Sequence, residues 1–525
     1  MNLRIRKIAA AALISFAVTA ASPTRAETFG LVVGINDYKH LSKLDGAVAD
    51  AQDVEAALKA SGAKNITTLL DGAATREAIL DAWRAILKTA RAGDTVVFSY
   101  AGHGGQERER VRGNEDDGLD EVFLLAGFNE DETGNGERII DDELHQLFIT
   151  ARHLKVVFVA DSCHSGTMTR SFDDRAGKLR TRLASYGEIV NDQLPAPDPK
   201  AAAINPELLD NVVFFGAVQD HELALEYAID GVTRGALSWS FARALRGHAD
   251  QNGDKVINTR ELERYLLEKV RTVTEGRQFP QMVPRGRPTE IAFRVTQPAG
   301  AAAGQQDALT KPLNLHVAGT NDAPGLAANL RDVTLVAAGQ ADLTWDRKNG
   351  EVVSASGDVV ARLGADAAPG RVQPLIDKWL LLRDLGELAE QQPLNLRIDA
   401  GNGTHHAGTE LKILLDGHTG GNLTLVNLAV DGTVQFLVPW PTSPNRNYHG
   451  PVEPGRTFSF KLKVSPPFGA DHLFALTSPQ PMSALHKEIL SLDGKKAAGL
   501  LRSVIARHLK GATYQLGSVG LFTAP

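Results

Sequence analysis

Cysteine is almost absent: Cys163 is the only one in 525 residues. That excludes an internal disulfide framework and any multi-cysteine zinc or iron–sulfur site. A basic excess is missing too, with 56 Lys and Arg against 63 Asp and Glu and a formal net charge of -7. Nucleic-acid binding needs a basic patch or stripe, so nucleic acid is not an expected partner. Beyond the first thirty positions no apolar run approaches the ~18 residues of a spanning helix, so no integral membrane span is expected in the mature chain. Internal repeats and coiled-coil heptads are absent as well. What remains is ordinary globular chemistry, 43% hydrophobic and 23% charged, at a length that predicts two or three domains.

The chain opens Met-Asn-Leu-Arg-Ile-Arg-Lys, runs apolar from Ile8 to Ala21 and reaches Ala26 through Ser-Pro-Thr-Arg. A basic head, a short apolar stretch and a small residue before a cut form a secretory signal, too short for an anchor. A periplasmic or secreted protein is therefore expected, cut after Ala26. A lone thiol in an oxidising compartment is unusual. It is either a buried small hydrophobe or a reagent.

From Phe29 to about Val295 near-continuous apolar runs alternate with amphipathic windows. Strands are expected at Phe29–Ile35, Ile66–Leu70, Thr95–Tyr100, Val156–Ala160, Val212–Ala217 and Ile291–Val295. Helices are expected at Ala47–Ala60, Arg76–Ala90, Asp141–Arg152, Leu237–Arg246 and Arg260–Val273, with Thr75 and Thr259 as caps. Such alternation predicts an α/β fold with a mostly parallel sheet covered by helices on both faces. Two polar stretches, Glu107–Arg138 and Arg170–Pro206, read as long loops. The expected divisions are a signal segment 1–26, a first domain 27–296, a linker 297–311, a mixed α/β segment 312–392 with a helix near Val372–Asp384, and a β-rich module 393–525. In that module strands are expected at Leu394–Asp399, Leu411–Leu415, Asn422–Val430, Thr433–Val438, Thr457–Lys463 and Thr513–Phe522, around a helix at Lys495–His508. Trp440 there reads either as a surface for a protein or glycan or as a core ring.

Two of the apolar strands run into Gly-rich ends: Ala101-Gly-His-Gly-Gly105 and Asp161-Ser-Cys-His-Ser-Gly166. Parallel sheets build sites at the carboxyl ends of their strands. A thiol with an imidazole nearby is the minimum for nucleophilic attack on a carbonyl. His164 follows Cys163 directly and would face away along an extended chain, so His103 is the expected base. Gly104 lets the backbone approach closely, and the amides of Gly104 and Cys163 are the expected oxyanion donors.

Tyr100-Ala-Gly-His-Gly104 followed by Asp161-Ser-Cys-His-Ser-Gly166 resembles the paired signatures of caspase-like cysteine proteases, in their metacaspase branch. Leu44–Ala51 resembles the start of that branch's first helix, with Ala49 where Asn is usual. Gly216–Glu222 with Glu226, Gly235–Ser238 and Gln278–Pro280 resemble its smaller-subunit portion. The resemblance covers about Phe29–Val295. It implies a caspase-type sandwich, a His103/Cys163 dyad and an acidic pocket of Asp50 and Asp161 for an Arg or Lys of a polypeptide substrate. Carboxylates favour a guanidinium there and repel an acidic side chain. Ala101 replaces a small hydroxyl residue often found in the branch.

No cofactor is required for such chemistry, but calcium is a candidate ligand. Asp250, Asn252, Asp254, Asn258 and Glu261 match the donor places of an EF-hand loop, with Val256 for the carbonyl, although Lys255 stands where Gly is usual. The same stretch also reads as a capped turn. The resemblance points as well to the carboxylates Asp116, Asp117, Asp120, Asp141 and Asp142. Self-cleavage is expected after Arg170, Arg175, Lys178, Arg180 or Arg182, in a polar stretch read as exposed and mobile. A non-catalytic scaffold and a Cys/His amidase acting on cell-wall peptides are the alternatives.

Overall fold

The structure is a computed structural model that describes residues 26–111, 118–163, 179–195, 209–219, 223–250, 252–284, 291–295, 311–399, 404–439 and 451–525. Residues 1–25 of the expected signal segment, His164, Arg170, Arg175, Lys178, Asp116, Asp117, residues 297–310 of the expected linker and Trp440 lie outside the described residues.

Six strands form the central sheet: β1 (Thr28–Gly34), β2 (Asn65–Leu70), β3 (Thr95–Ala101), β4 (Lys155–Asp161), β5 (Val212–Gly216) and β6 (Gln281–Val283), in the order β6-β5-β4-β3-β1-β2. The first five are parallel and β6 is antiparallel to β5. Helices are α1 (Ala47–Ala60), α2 (Arg76–Thr89), α3 (Asp141–Thr150), α4 (Ala236–Arg243) and α5 (Thr259–Val273). Because strand side chains alternate faces, Val32, Val97 and Val157 pack with α1, α4 and α5, while Leu31, Phe98 and Phe158 pack with α2 and α3. Both faces are apolar because both are covered, and each buried aliphatic side chain contributes ~1.5–3 kcal/mol.

Three local readings are corrected here. The strand at Ile291–Val295 exists as Ala292–Arg294, but it pairs with Val256–Asn258 outside the central sheet, whose sixth strand is β6. Glu107–Arg138 is not a structureless loop: Leu119–Leu124 pairs with Gly104–Arg108 and with Arg138–Ile140. Its short apolar run is masked in sequence by the acidic residues around it. Thr75 caps α2 through its Oγ1, but α5 is capped by Asn258 rather than Thr259, in a capping box with Glu261.

The C-terminal half is β-rich. A five-stranded sheet centred on Leu313–Ala318 and Leu343–Asp346 packs against α6 (Pro369–Gln391). A second five-stranded sheet is built around Ala470–Ser478, with Glu410–Asp416 central to a smaller one. α6 extends beyond the expected Val372–Asp384 and serves both cores, Val372 to Leu380 in one and Leu381 and Leu385 in the other. Near its end Glu390 meets Arg243, His248 and Lys269 of the first domain. Among the described residues no helix is long and apolar enough to cross a membrane.

Candidate active site

Ala101 at the end of β3 is paired in register with Asp161 at the end of β4. His103 and Cys163 each follow two residues later, so adjacent parallel strands deliver both to one edge of the sheet. Both are fully buried. The loops meet tightly: a Cβ on Gly104 would lie 2.0 Å from the Cys163 carbonyl oxygen, which leaves glycine as the residue that fits.

The His103 backbone is held at both ends, its amide donating to Tyr38 Oη at 2.7 Å and its carbonyl accepting from Tyr100 Oη at 2.7 Å. The Tyr38 ring packs on the imidazole, 4.7 Å between centroids. Nε2 lies 2.8 Å from the Ser42 carbonyl oxygen. A carbonyl can only accept, so Nε2 carries the proton. Nδ1 is buried and has no hydrogen-bond partner within bonding geometry among the described residues. Burial lowers the imidazole's pKa.

Cys163 Sγ accepts the Ala224 amide at 2.9 Å and lies 3.7 Å from Thr181 Oγ1. Burial pushes the thiol up to about 11, against the lowering by these polar neighbours.

The pocket beside the dyad is occupied by the chain itself. The Arg182 guanidinium is within 2.5 Å of Asp50, 3.0 Å of Asp161 and 3.2 Å of Glu226, and all four side chains are buried. Burial pulls the guanidinium's pKa down, but Asp161, Asp50 and Glu226 together hold it well above its ordinary value. Three carboxylates facing one cation in a dry pocket do not all stay charged. Burial, aided by Asp161, pushes Asp50 up to about 8 despite the pull of Arg182. Backbone amides fix the acids: Gly235 donates to Asp50, Ser238 to Asp161, and Asp45 and Gly46 to Glu226. A Cβ on Gly235 would fall 2.4 Å from both the Arg182 guanidinium and the Asp161 carboxylate, so glycine there keeps the pocket open.

The main chain around Arg182 is equally held. Its amide donates to the Ala224 carbonyl, the Gly104 amide donates to its carbonyl, and Glu226 donates to the Arg180 carbonyl, each at 2.9 Å. Thr181 bridges Leu225 antiparallel, and Leu183 bridges Gly104. The Arg182 backbone also acts on both dyad members, raising the imidazole and lowering the thiol against burial.

The structure thus brings together His103, Cys163, Gly104, Asp50, Asp161 and Arg182. It corrects the picture of Arg182 as exposed: it is buried, whereas Arg180 is half exposed at the rim. Sequence reasoning missed Glu226, Ala224, Tyr38 and Ser42 as parts of the site. Glu226 opens the ribbon Glu226–Ile229 paired with Val232–Gly235, and only that long-range fold brings it to the pocket.

The 250–261 loop looks inward. Asp250 takes the amides of Gly253 and Lys255, Asp254 takes that of Val256, and Glu261 is engaged by Asn258 in the capping box. Lys255 adopts φ 65, the left-handed conformation glycine favours. Asp120 is buried and pushed up to about 6, chiefly by burial. Among the described residues no group of three or more His, Cys, Asp or Glu gathers to hold a metal ion.

Residues 30–171 match the family model of the metacaspase, peptidase C14 domain. Curated relatives agree. Metacaspase-1 of Coccidioides immitis is 24% identical over 271 residues, covering 44% of this chain and 57% of that protein. Metacaspase-1A of Aspergillus oryzae is 25% identical over 270 residues (44% and 62%), and Metacaspase-1 of Sclerotinia sclerotiorum 26% over 268 (44% and 61%). The match spans under two thirds of their length. A crystal structure of a protein from Geobacter sulfurreducens covers 49% of this chain and 92% of its own at 25% identity and a TM-score of 0.34. The first domain is a parallel-rich sheet between helices, with His103 and Cys163 just beyond two adjacent strand ends. Its similarity is to metacaspases and to their peptidase C14 domain.

Proposed function

We propose that this domain is a cysteine endopeptidase that cuts after Arg or Lys and that its first substrate is its own chain, between Arg182 and Leu183. The observation that carries the reading is the seat of Arg182, with its side chain among three carboxylates and its carbonyl on the Gly104 amide beside Cys163. An Arg fills such a pocket through several charge-assisted bonds at once, and a Lys satisfies the same charge with a single head group.

In this reading His103 Nδ1 removes the thiol proton as Sγ attacks the carbonyl carbon of the basic residue. The Gly104 amide stabilises the oxyanion, a contribution of about 3 kcal/mol per donor. The imidazolium returns the proton to the leaving nitrogen, that of Leu183 in the first turnover, and the C–N bond breaks to leave a thioester. Water, deprotonated by the same Nδ1, then attacks the thioester and releases a carboxylate and the thiol. A secreted or periplasmic location belongs to the reading and rests on the N-terminal signal pattern.

The test incubates the full chain and Cys163→Ala side by side, with and without calcium, and sequences new amino termini. The expected result is a terminus beginning at Leu183 in wild type only, formed at a rate independent of protein concentration. Identical cleavage in both chains would mean a foreign protease. No hydrolysis of Arg- or Lys-ending peptides by wild type would overturn the enzyme assignment.

A further inference from the structure

Arg182 is not the only basic side chain the cleft holds. Two residues earlier, Arg180 faces the loop that precedes α1, its Nε 2.8 Å from Asp45 Oδ2 and its terminal nitrogen donating to the Lys43 carbonyl at 2.6 Å. Residues two apart on an extended chain share a face. The intervening Thr181 is turned the other way, with its Oγ1 toward Cys163 and the Leu183 amide. The backbone is fixed on each side of this contact, since the Arg180 carbonyl accepts from the Glu226 amide. The loop bearing Asp45 is fixed as well. Its Asp45 and Gly46 amides both donate, at 2.8 Å, to the Glu226 carboxylate that also meets Arg182. One carboxylate therefore ties the pocket for the residue at the cut to a second acidic contact two residues upstream.

We propose that Asp45 and the Lys43 carbonyl form a second basic-selective subsite, so that the preferred substrates are polypeptides carrying Arg-Xaa-Arg before the cut. This rests on the endopeptidase reading above and sharpens it. Arg is preferred to Lys there because two nitrogens of one guanidinium reach two acceptors, which a single ammonium does not reproduce. Both partners are about half exposed, 53% and 55%, so the selectivity is modest and salt-sensitive: roughly three- to fivefold at low ionic strength. An acidic residue at the same place faces Asp45 and is disfavoured.

The experiment measures kcat/KM for four fluorogenic peptides, Arg-Thr-Arg, Lys-Thr-Arg, Ala-Thr-Arg and Glu-Thr-Arg, with one leaving group, using the self-processed full chain. The expected order is Arg, Lys, Ala, Glu, with the Arg-to-Ala ratio shrinking as salt rises. In Asp45→Asn that ratio falls to about one, and in Asp45→Arg the Glu peptide overtakes the Arg peptide. Asp45 holds Glu226 through its backbone amide, which both variants retain. Equal rates for Arg and Ala in wild type, or a ratio that survives Asp45→Asn, overturn the second subsite while leaving the endopeptidase reading intact. Failure to cut any of the four overturns both.

Discussion

The acid pocket and the 250–261 loop are built from the same residue types and end in opposite states. In the pocket Asp50, Asp161 and Glu226 come from three separated elements, are buried, and converge on one guanidinium. In the loop Asp250, Asp254 and Glu261 are neighbours in sequence, lie at the surface, and accept hydrogen bonds from their own backbone. The loop satisfies these carboxylates locally, through its own backbone amides. The pocket cannot: its backbone donors reach each acid, yet the surplus of negative charge remains and calls for a cation. What separates the two clusters is thus the number of elements that bring the charges together.

The largest effect should come from breaking the pocket. Asp161→Asn should lower kcat/KM for Arg- and Lys-ending peptides at least about thirtyfold, the ~2–5 kcal/mol of a truncated buried charge pair, with a far smaller drop on a neutral-ending peptide. An equal drop on both would make Asp161 a structural residue. Next is removal of the cation. In the Cys163→Ala background, which cannot cut itself, Arg182→Met leaves three buried carboxylates without their partner and should cost about 3 kcal/mol in denaturant melts. Asp250→Asn in the same background should cost less than about 1 kcal/mol. Comparable losses would erase the contrast between the two regions.

A smaller effect follows from Asp50. Burial holds its carboxyl near 8 in the folded chain, against ~3.9 for an unfolded Asp. The folded state therefore binds the proton more tightly. Its contribution is fully present below about pH 4 and is lost as pH rises toward 8, the reverse of an ordinary ion-paired Asp. In Cys163→Ala the free energy of unfolding should fall from pH 5 to pH 8, at most about 1.4 kcal/mol per pH unit, and Asp50→Asn should flatten that slope. A slope unchanged by Asp50→Asn would show that Asp50 is not the group titrating.

The placement of His103 and Cys163 was legible because each follows a largely apolar strand, and two such strands in one parallel sheet end on the same side. Asp50 and Asp161 were legible only through resemblance. Arg182 was singled out on an argument from exposure that the fold reverses: it is a candidate for cleavage because it is buried in the cleft. Glu226 entered only through that resemblance, with no place in the pocket assigned to it. Its role depends on a four-residue ribbon folding back over α1, a contact of about 180 residues in separation. The strand Ala470–Ser478 was missed for a related reason. Asp471 and His472 interrupt its apolar pattern, and both are buried because α6 and Glu275 cover them. Polar residues that meet partners far along the chain read as surface until the partners are known.

The smallest effect tests the loop on its own terms. Asn258 closes the first turn of α5 by accepting from the Glu261 amide while Glu261 reaches back to Asn258. Removing a side-chain cap of this kind costs about 1 kcal/mol, so Asn258→Ala in the Cys163→Ala chain should lower stability by that amount, equally with and without calcium. The comparison is sharp because calcium binding and capping draw on the same oxygens. If the loop holds calcium, Asp250, Asp254 and Glu261 must turn from the backbone toward the ion, and the gain should grow with calcium concentration by mass action. A calcium-dependent rise in melting temperature that Asp250→Asn abolishes would therefore remove the contrast from this side, making the loop a ligand site like the pocket. A loss near 1 kcal/mol that calcium leaves untouched would keep it a capped turn.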